Sequence, residues 1–205
     1  MMVALIVLLS ALLIGAFSEA PLQPSLFPFF LLGVGFMLIE TKGITELGLV
    51  FGNSWQVVGV VIAGVLVMAF LANWVVQVWQ VERVEICYVL LVVSLLVGWF
   101  IAGHGGLPSS WVGRIGATAL LTCPLFFSGM VFSTLLRSRG EISGMISANL
   151  FGAMCGGLLE YNSMYFGFRS LYLMAAGLYL IAFVWDLLRS GSSERALTVS
   201  TQSAS

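Results

Sequence analysis

The sequence predicts an all-α fold, a polytopic transmembrane helix bundle of about seven spans, and three observations carry that expectation. Apolar residues make up 60% of the 205-residue chain and charged residues only 8%, a ratio that a water-soluble domain of this size does not show. The apolar residues fall into about seven continuous runs, each near the length of roughly 20 residues that a helix needs to cross a bilayer. Tryptophans mark the ends of several runs, at Trp55, Trp74, Trp79, Trp99, Trp111 and Trp185, the positions at which indole rings sit among lipid headgroups. Helices are required because hydrocarbon offers no partner for a free backbone N–H or C=O, and the runs are too long for barrel strands.

In chain order the runs are 3–17, 27–51, 55–78, 86–103, 112–136, 142–161 and 169–188, spans A to G. Span A, with its loop to residue 25, reads either as a retained helix or as a cleaved signal peptide. Ser18, Glu19 and Ala20 fit a cleavage site, but the start carries no basic residue. Loop arginines favour retention. Arg83, Arg137, Arg139, Arg189 and Arg195 fall on one side, against Arg114 and Arg169 on the other, so the first side is expected to be cytoplasmic. Seven spans then place the N-terminus outside and the C-terminus inside, in a membrane expected to be the bacterial cytoplasmic one.

Spans B to G form the expected six-helix domain, 26–189. Gly59, Ala63 and Gly64 give span C a close-packing patch, and Asn73 is expected to make a helix–helix hydrogen bond. The loop after span D holds His104 within Gly-His-Gly-Gly; no strand precedes it and no P-loop lysine follows, so it reads as a turn. Pro124, midway through span E, removes a helix hydrogen bond and predicts a kink, with Thr122 and Ser128 placed to help the freed carbonyls. Span F carries Gly144, Ala148, Gly152 and Gly156 at every fourth position, a stripe that lets another helix approach closely. After span G, residues 190–205 are rich in Ser and Thr without apolar periodicity, and predict a disordered cytoplasmic tail.

The candidate site follows from charges inside the spans. Glu40 lies near the midpoint of span B, with Lys42 and Glu46 beyond it, at depths where an ionised side chain costs roughly 2.5–3.5 kcal/mol unless protein or water surrounds it. Lys42 and Glu46 are four apart and can pair along one face, whereas Glu40 points to another side. Three readings of Glu40 stay open: a neutral carboxyl bonded to a neighbouring helix, a protonatable or cation-binding group lining a cavity, or a residue beside a break in the helix at Gly43. Span F is the expected partner. Asn149 is predicted to reach Glu40 or the Lys42 pair, directly or through water, and Glu160 to close the outer end of the bundle with Tyr161 and Asn162.

Several function classes are disfavoured. A net charge of -1 provides no basic surface for nucleic acid. Cys87, Cys123 and Cys155 have neither C-x-x-C spacing nor an even count, so no disulfide framework or metal site is indicated. No cofactor motif is recognisable, and no H-E-x-x-H, G-x-S-x-G or Cys-His constellation points to an enzyme.

Phe29 to Asn53, FFLLGVGFMLIETKGITELGLVFGN, resembles the first membrane helix of the polytopic spermidine-synthase-like proteins: a Gly-containing apolar run, a buried Glu matching Glu40, and a close on Phe51-Gly52. Ile146 to Phe183, with Ala148-Asn149-Leu150-Phe151-Gly152-Ala153 and Gly156-Gly157-Leu158-Leu159, is similar to the fifth and sixth membrane helices of the same proteins. The resemblance implies that spans B to G match a six-helix unit like one half of a major-facilitator-type transporter. It departs in the pocket: many relatives have an aromatic and an arginine after the Glu, where this chain has Lys42 and Thr45, with Glu46 added. No counterpart of the soluble aminopropyltransferase half is recognisable in the sequence, so synthase activity is not implied.

Two functions are expected from this reading. One is a non-catalytic half-transporter-like module that binds or moves a small cation, an amine or a proton as part of a homo-oligomer, since a half-unit alone encloses no complete pathway. The other is an accessory or scaffold subunit of a larger membrane complex, in which the buried charges only fix register.

Overall fold

The computed structural model describes residues 24–51, 55–81, 83–103, 111–138, 142–162, 167 and 169–202. Within them lie six α-helices and one 3₁₀ turn: α1 (Phe27–Phe51), α2 (Trp55–Trp79), α3 (Val84–Gly103), α4 (Trp111–Ser138), α5 (Ile142–Leu159), the turn Glu160–Asn162, and α6 (Ser170–Gln202). They correspond in order to spans B to G. Five of the six, all but α4, are long and apolar enough to cross a membrane, which fits an integral membrane protein. Span A, the His104 loop and residues 203–205 lie outside the described residues, so the expected total of about seven spans has no counterpart here.

The helices alternate in direction, giving the bundle a proximal end, where α1 begins, and a distal end, where it finishes. Side-chain contacts tie both ends. At the proximal end the Trp185 indole donates to the Pro24 carbonyl at 3.1 Å and its ring lies 5.0 Å from that of Phe27. Nearby, Arg137 donates to the Val76 carbonyl at 2.9 Å. At the distal end the Arg169 guanidinium sits 5.1 Å from the Trp99 ring centroid, a cation–π contact of the kind that holds Arg beside aromatics.

Helix α1 is the axis of the bundle. It packs on α5, α6, α4 and α2, while α3 closes the far side against α4 and α6. Accordingly 61% of the spanning part of α1 is buried, against 17–33% for the others. This explains how α1 can carry three charged residues: its surroundings are protein, and the lipid is met by the helices around it.

Small residues make the α1–α5 approach possible. A side-chain carbon at Gly152 would collide with the Phe30 carbonyl, and one at Gly156 would lie 2.6 Å from the Val34 oxygen. From the other side, a side chain at Gly33 would strike the Asn149 backbone, while Gly144 faces Leu26. The seam α1–α6 has a second device. Gly35 leaves room for the hydroxyl end of the Tyr179 ring, whose Cζ and Cε2 atoms a Cβ would approach to 2.7 and 2.8 Å. Ala175, Ala176 and Ala182 on the same side of α6 are buried beside it.

Three local expectations are corrected. Helix α1 is continuous through Gly43, which removes the reading of a break there; Thr41 and Thr45 bond back to the Met37 and Thr41 carbonyls at 2.9 Å each and keep this stretch satisfied. Ser128 does not serve the carbonyls freed by Pro124. It bonds the Tyr179 hydroxyl at 2.8 Å across the α4–α6 interface, and the Thr122 hydroxyl bonds back to the Ala119 carbonyl at 3.3 Å, one residue before the Leu120 carbonyl that Pro124 leaves without its N–H. Finally, α6 is helical to Gln202, through most of the segment expected to be a disordered tail. A helix nucleated in the bilayer extends at low cost, because each added residue gains a hydrogen bond without repeating nucleation.

The Ser128–Tyr179 bond gives a direct prediction. Ser128→Ala leaves a fully buried phenol without that partner, and stability toward denaturation in mild detergent is expected to fall by about 1 kcal/mol. Tyr179→Phe in the same background should add little further loss, since the bond is already gone.

Candidate functional site

Two groups of polar residues occupy α1, and the structure separates them. Lys42 and Glu46 stand one turn apart on the face toward α6. The Lys42 ammonium donates to Glu46 Oε1, and the Tyr172 hydroxyl of α6 donates to Glu46 Oε2 at 3.1 Å. The ammonium also lies 5.3 Å from the Tyr172 ring centroid. Each charge therefore has an opposite: the carboxylate holds two donors on its two oxygens, and the ammonium is bound by a carboxylate and the negative face of a ring. Lys42 is 3% exposed and Tyr172 2%, while the Glu46 side chain keeps 18% exposure, so the ammonium and the phenol are enclosed and the carboxylate is partly open.

Local sequence explains the position of the trio. Gly35 and Lys42 are seven residues apart on α1 and Tyr172 and Tyr179 seven apart on α6, so in an antiparallel pair one tyrosine meets the glycine and the other meets the lysine. Gly98 on α3 flanks the Tyr172 ring, which a Cβ there would touch at 3.3 Å. The sequence reading missed Tyr172 and Tyr179. The signal available was their heptad spacing with small residues between, on a helix opposite a charged one.

Glu40 is placed differently. It shares a face with Gly33, seven residues earlier, and thus looks along the α5 seam. Its side chain is half-buried, and no hydrogen bond or ion pair joins it to another group among the described residues. The spanning part of α1, Phe27–Glu46, centres near Met37. Glu40 thus stands about 5 Å from the middle toward the distal end, and Glu46 about 14 Å, at 1.5 Å per residue. The trio accordingly belongs to the distal half of the bundle and not to its midplane.

Asn149 corrects a further expectation. Its partner helix is α1, but its amide donates to the Phe29 carbonyl at 3.2 Å, eleven residues before Glu40. The close Gly152–Phe30 approach fixes this register and carries Asn149 toward the proximal end. Glu160 opens the 3₁₀ turn at the distal end of α5, half-buried, with Tyr161 exposed beside it. The seam register, Gly156 beside Val34 and Met37, puts Glu160 one turn further along, on the level of Glu40. Gly144, Ala148, Gly152 and Gly156 all lie on the α1 side of α5, with Gly152 and Gly156 buried.

Among the described residues no group of three or more His, Cys, Asp or Glu is arranged to hold a metal ion, and Cys87, Cys123 and Cys155 are free thiols. No family model, curated protein or solved structure matches the chain.

Proposed function

We propose that the protein is a non-catalytic membrane module that takes a proton or a small organic cation at Glu40, with the Lys42–Glu46–Tyr172 trio as the strut that holds α1 against α6. One observation carries this reading: of the carboxylates on α1, Glu46 is satisfied by two donors, whereas Glu40 is half-buried in the same helix without such a partner. A carboxyl at that depth is stable only when protonated or when a cation balances it. The resemblance to spermidine-synthase-like membrane units points the same way for Glu40. It also supports the half-transporter architecture, the need for a second unit, and the orientation with the arginine-rich proximal end in the cytoplasm.

Glu40→Gln tests it, because the amide keeps the shape and removes the charge. Reconstituted in vesicles, the variant is expected to lose proton-dependent or amine-dependent uptake by at least about tenfold, the loss of one charge-assisted contact, while helicity and assembly are retained. Unchanged uptake would reject Glu40 as the site.

The second reading, an accessory subunit, is favoured by the outward face of α2, where Asn73 is exposed and its expected helix–helix hydrogen bond is not made among the described residues. Co-purification of a different membrane protein, lost when that face is altered and kept in Glu40→Gln, would support it.

A further inference from the structure

We propose that α2 is a homodimerisation helix, pairing in parallel with α2 of a second copy through the seam Gly59, Ala63, Leu66, Phe70, Asn73 and Gln77. The six residues follow spacings of four, three, four, three and four, and all six are exposed. That is the heptad pattern of a left-handed helix pair, the commonest crossing in membranes.

Exposure of apolar side chains is ordinary on a membrane protein, so the argument rests on what lipid cannot satisfy. The outward faces of α3 and α6 consist of bulky aliphatic and aromatic residues such as Val89, Val93, Leu180 and Ile181, which acyl chains solvate well. The outward face of α2 differs. Asn73 stands six residues before Trp79, about 9 Å inside the end of the helix. Among the described residues it is the one exposed polar side chain more than a turn from the end of a spanning segment. Gln77 continues the same face one turn later. Neither amide has a hydrogen bond within the chain among the described residues. An amide left bare in hydrocarbon costs several kcal/mol, and a partner helix removes that cost.

A second copy is the occupant that fits. Two copies inserted in the same direction, related by a two-fold axis along the membrane normal, bring Asn73 level with Asn73 and Gln77 level with Gln77. An amide both donates and accepts, so each pairs with its own image. The face carries no charge that would call for an opposite charge on a different partner. Toward the distal end Gly59 and Ala63 continue the seam; among the described residues nothing lies within 4 Å of a Cβ at Gly59, which leaves the backbone open to close approach. A polar residue at one seam position also fixes register, as in soluble coiled coils.

Dimerisation is what the half-unit reading needs, but the seam stands on its own observations. Subunit counting by single-molecule photobleaching, on the full chain at low density in phosphatidylcholine vesicles, is the test. The wild type is expected to show two-step bleaching. Asn73→Leu should raise the dissociation constant about tenfold, and Asn73→Gln, which keeps the amide, should restore most of the affinity. Val93→Leu on α3, an exposed position outside the seam, serves as a control and should leave the wild-type affinity unchanged. A monomeric wild type at all densities, or an Asn73→Leu variant that dimerises as tightly as wild type, overturns the proposal. If dimerisation fails while Glu40-dependent uptake persists, the seam is wrong and the binding site stands; the reverse result removes the site and keeps the seam.

Discussion

Gly152→Val is expected to separate α5 from α1 and to prevent a stably folded bundle from being recovered in mild detergent. The side chain would have to occupy the position of the Phe30 carbonyl, which is backbone and cannot swing away. Either the helices part over most of the seam or α5 slides by a turn. Both break the Asn149–Phe29 bond and the approach at Gly156. Overpacking of a close interface typically costs about 1–3 kcal/mol when side chains can yield; here they cannot, and a cost above that range is expected. Gly157→Val, one residue on, is the control. A Cβ at Gly157 meets only the Met37 methyl, at 3.9 Å, and the variant should remain near wild type. Thermal unfolding followed by helical circular dichroism distinguishes the two.

Lys42→Met is the second large effect. Removing the ammonium leaves the partly exposed Glu46 with the Tyr172 hydroxyl as its remaining donor. Breaking one side of a fully buried ion pair costs about 3–5 kcal/mol; with Glu46 partly exposed, a loss at or below the lower end of that range is expected. Combining it with Glu46→Leu should recover most of the loss, because apolar replacements of similar volume fill such a site without the cost of a stranded charge. The unfolding free energies of the two single variants and the double variant form a cycle. Equal, additive losses would mean that the residues act independently and that the pairing across one turn of α1 contributes nothing to stability.

Much of this architecture was legible in the sequence, because the bilayer imposes strong rules. The ends of α1, α2 and α5 fall within a residue or two of the predicted runs, since the runs stop where polar or turn-forming residues return. The Lys42–Glu46 pair followed from spacing alone, and the stripe on α5 from its four-residue repeat. What failed depended on the relation between helices. Asn149 was assigned to the right neighbour but the wrong level, because sequence gives the face of a helix and not its slide along another. Ser128 was assigned to its own helix when its partner lies on α6. Asn73 was expected to make a helix–helix hydrogen bond, and the bundle turns it outward, without one among the described residues. Tyr172 was overlooked because a tyrosine near a helix end reads as an interfacial anchor until the facing charge is known.

The central claim is that the charges of α1 are surrounded by protein and not by lipid, and the chain offers a clean probe of it. Lys42 is its one lysine, so ¹⁵N-lysine labelling yields a single side-chain signal from the unaltered protein in native-like membranes. Solid-state NMR can then measure polarisation transfer to that nitrogen from lipid acyl protons and its dipolar coupling to glutamate carboxyl carbon. A strong carboxyl coupling with negligible transfer from acyl chains is the predicted result. Strong acyl transfer with no carboxyl coupling would place the ammonium at the lipid surface and contradict the account.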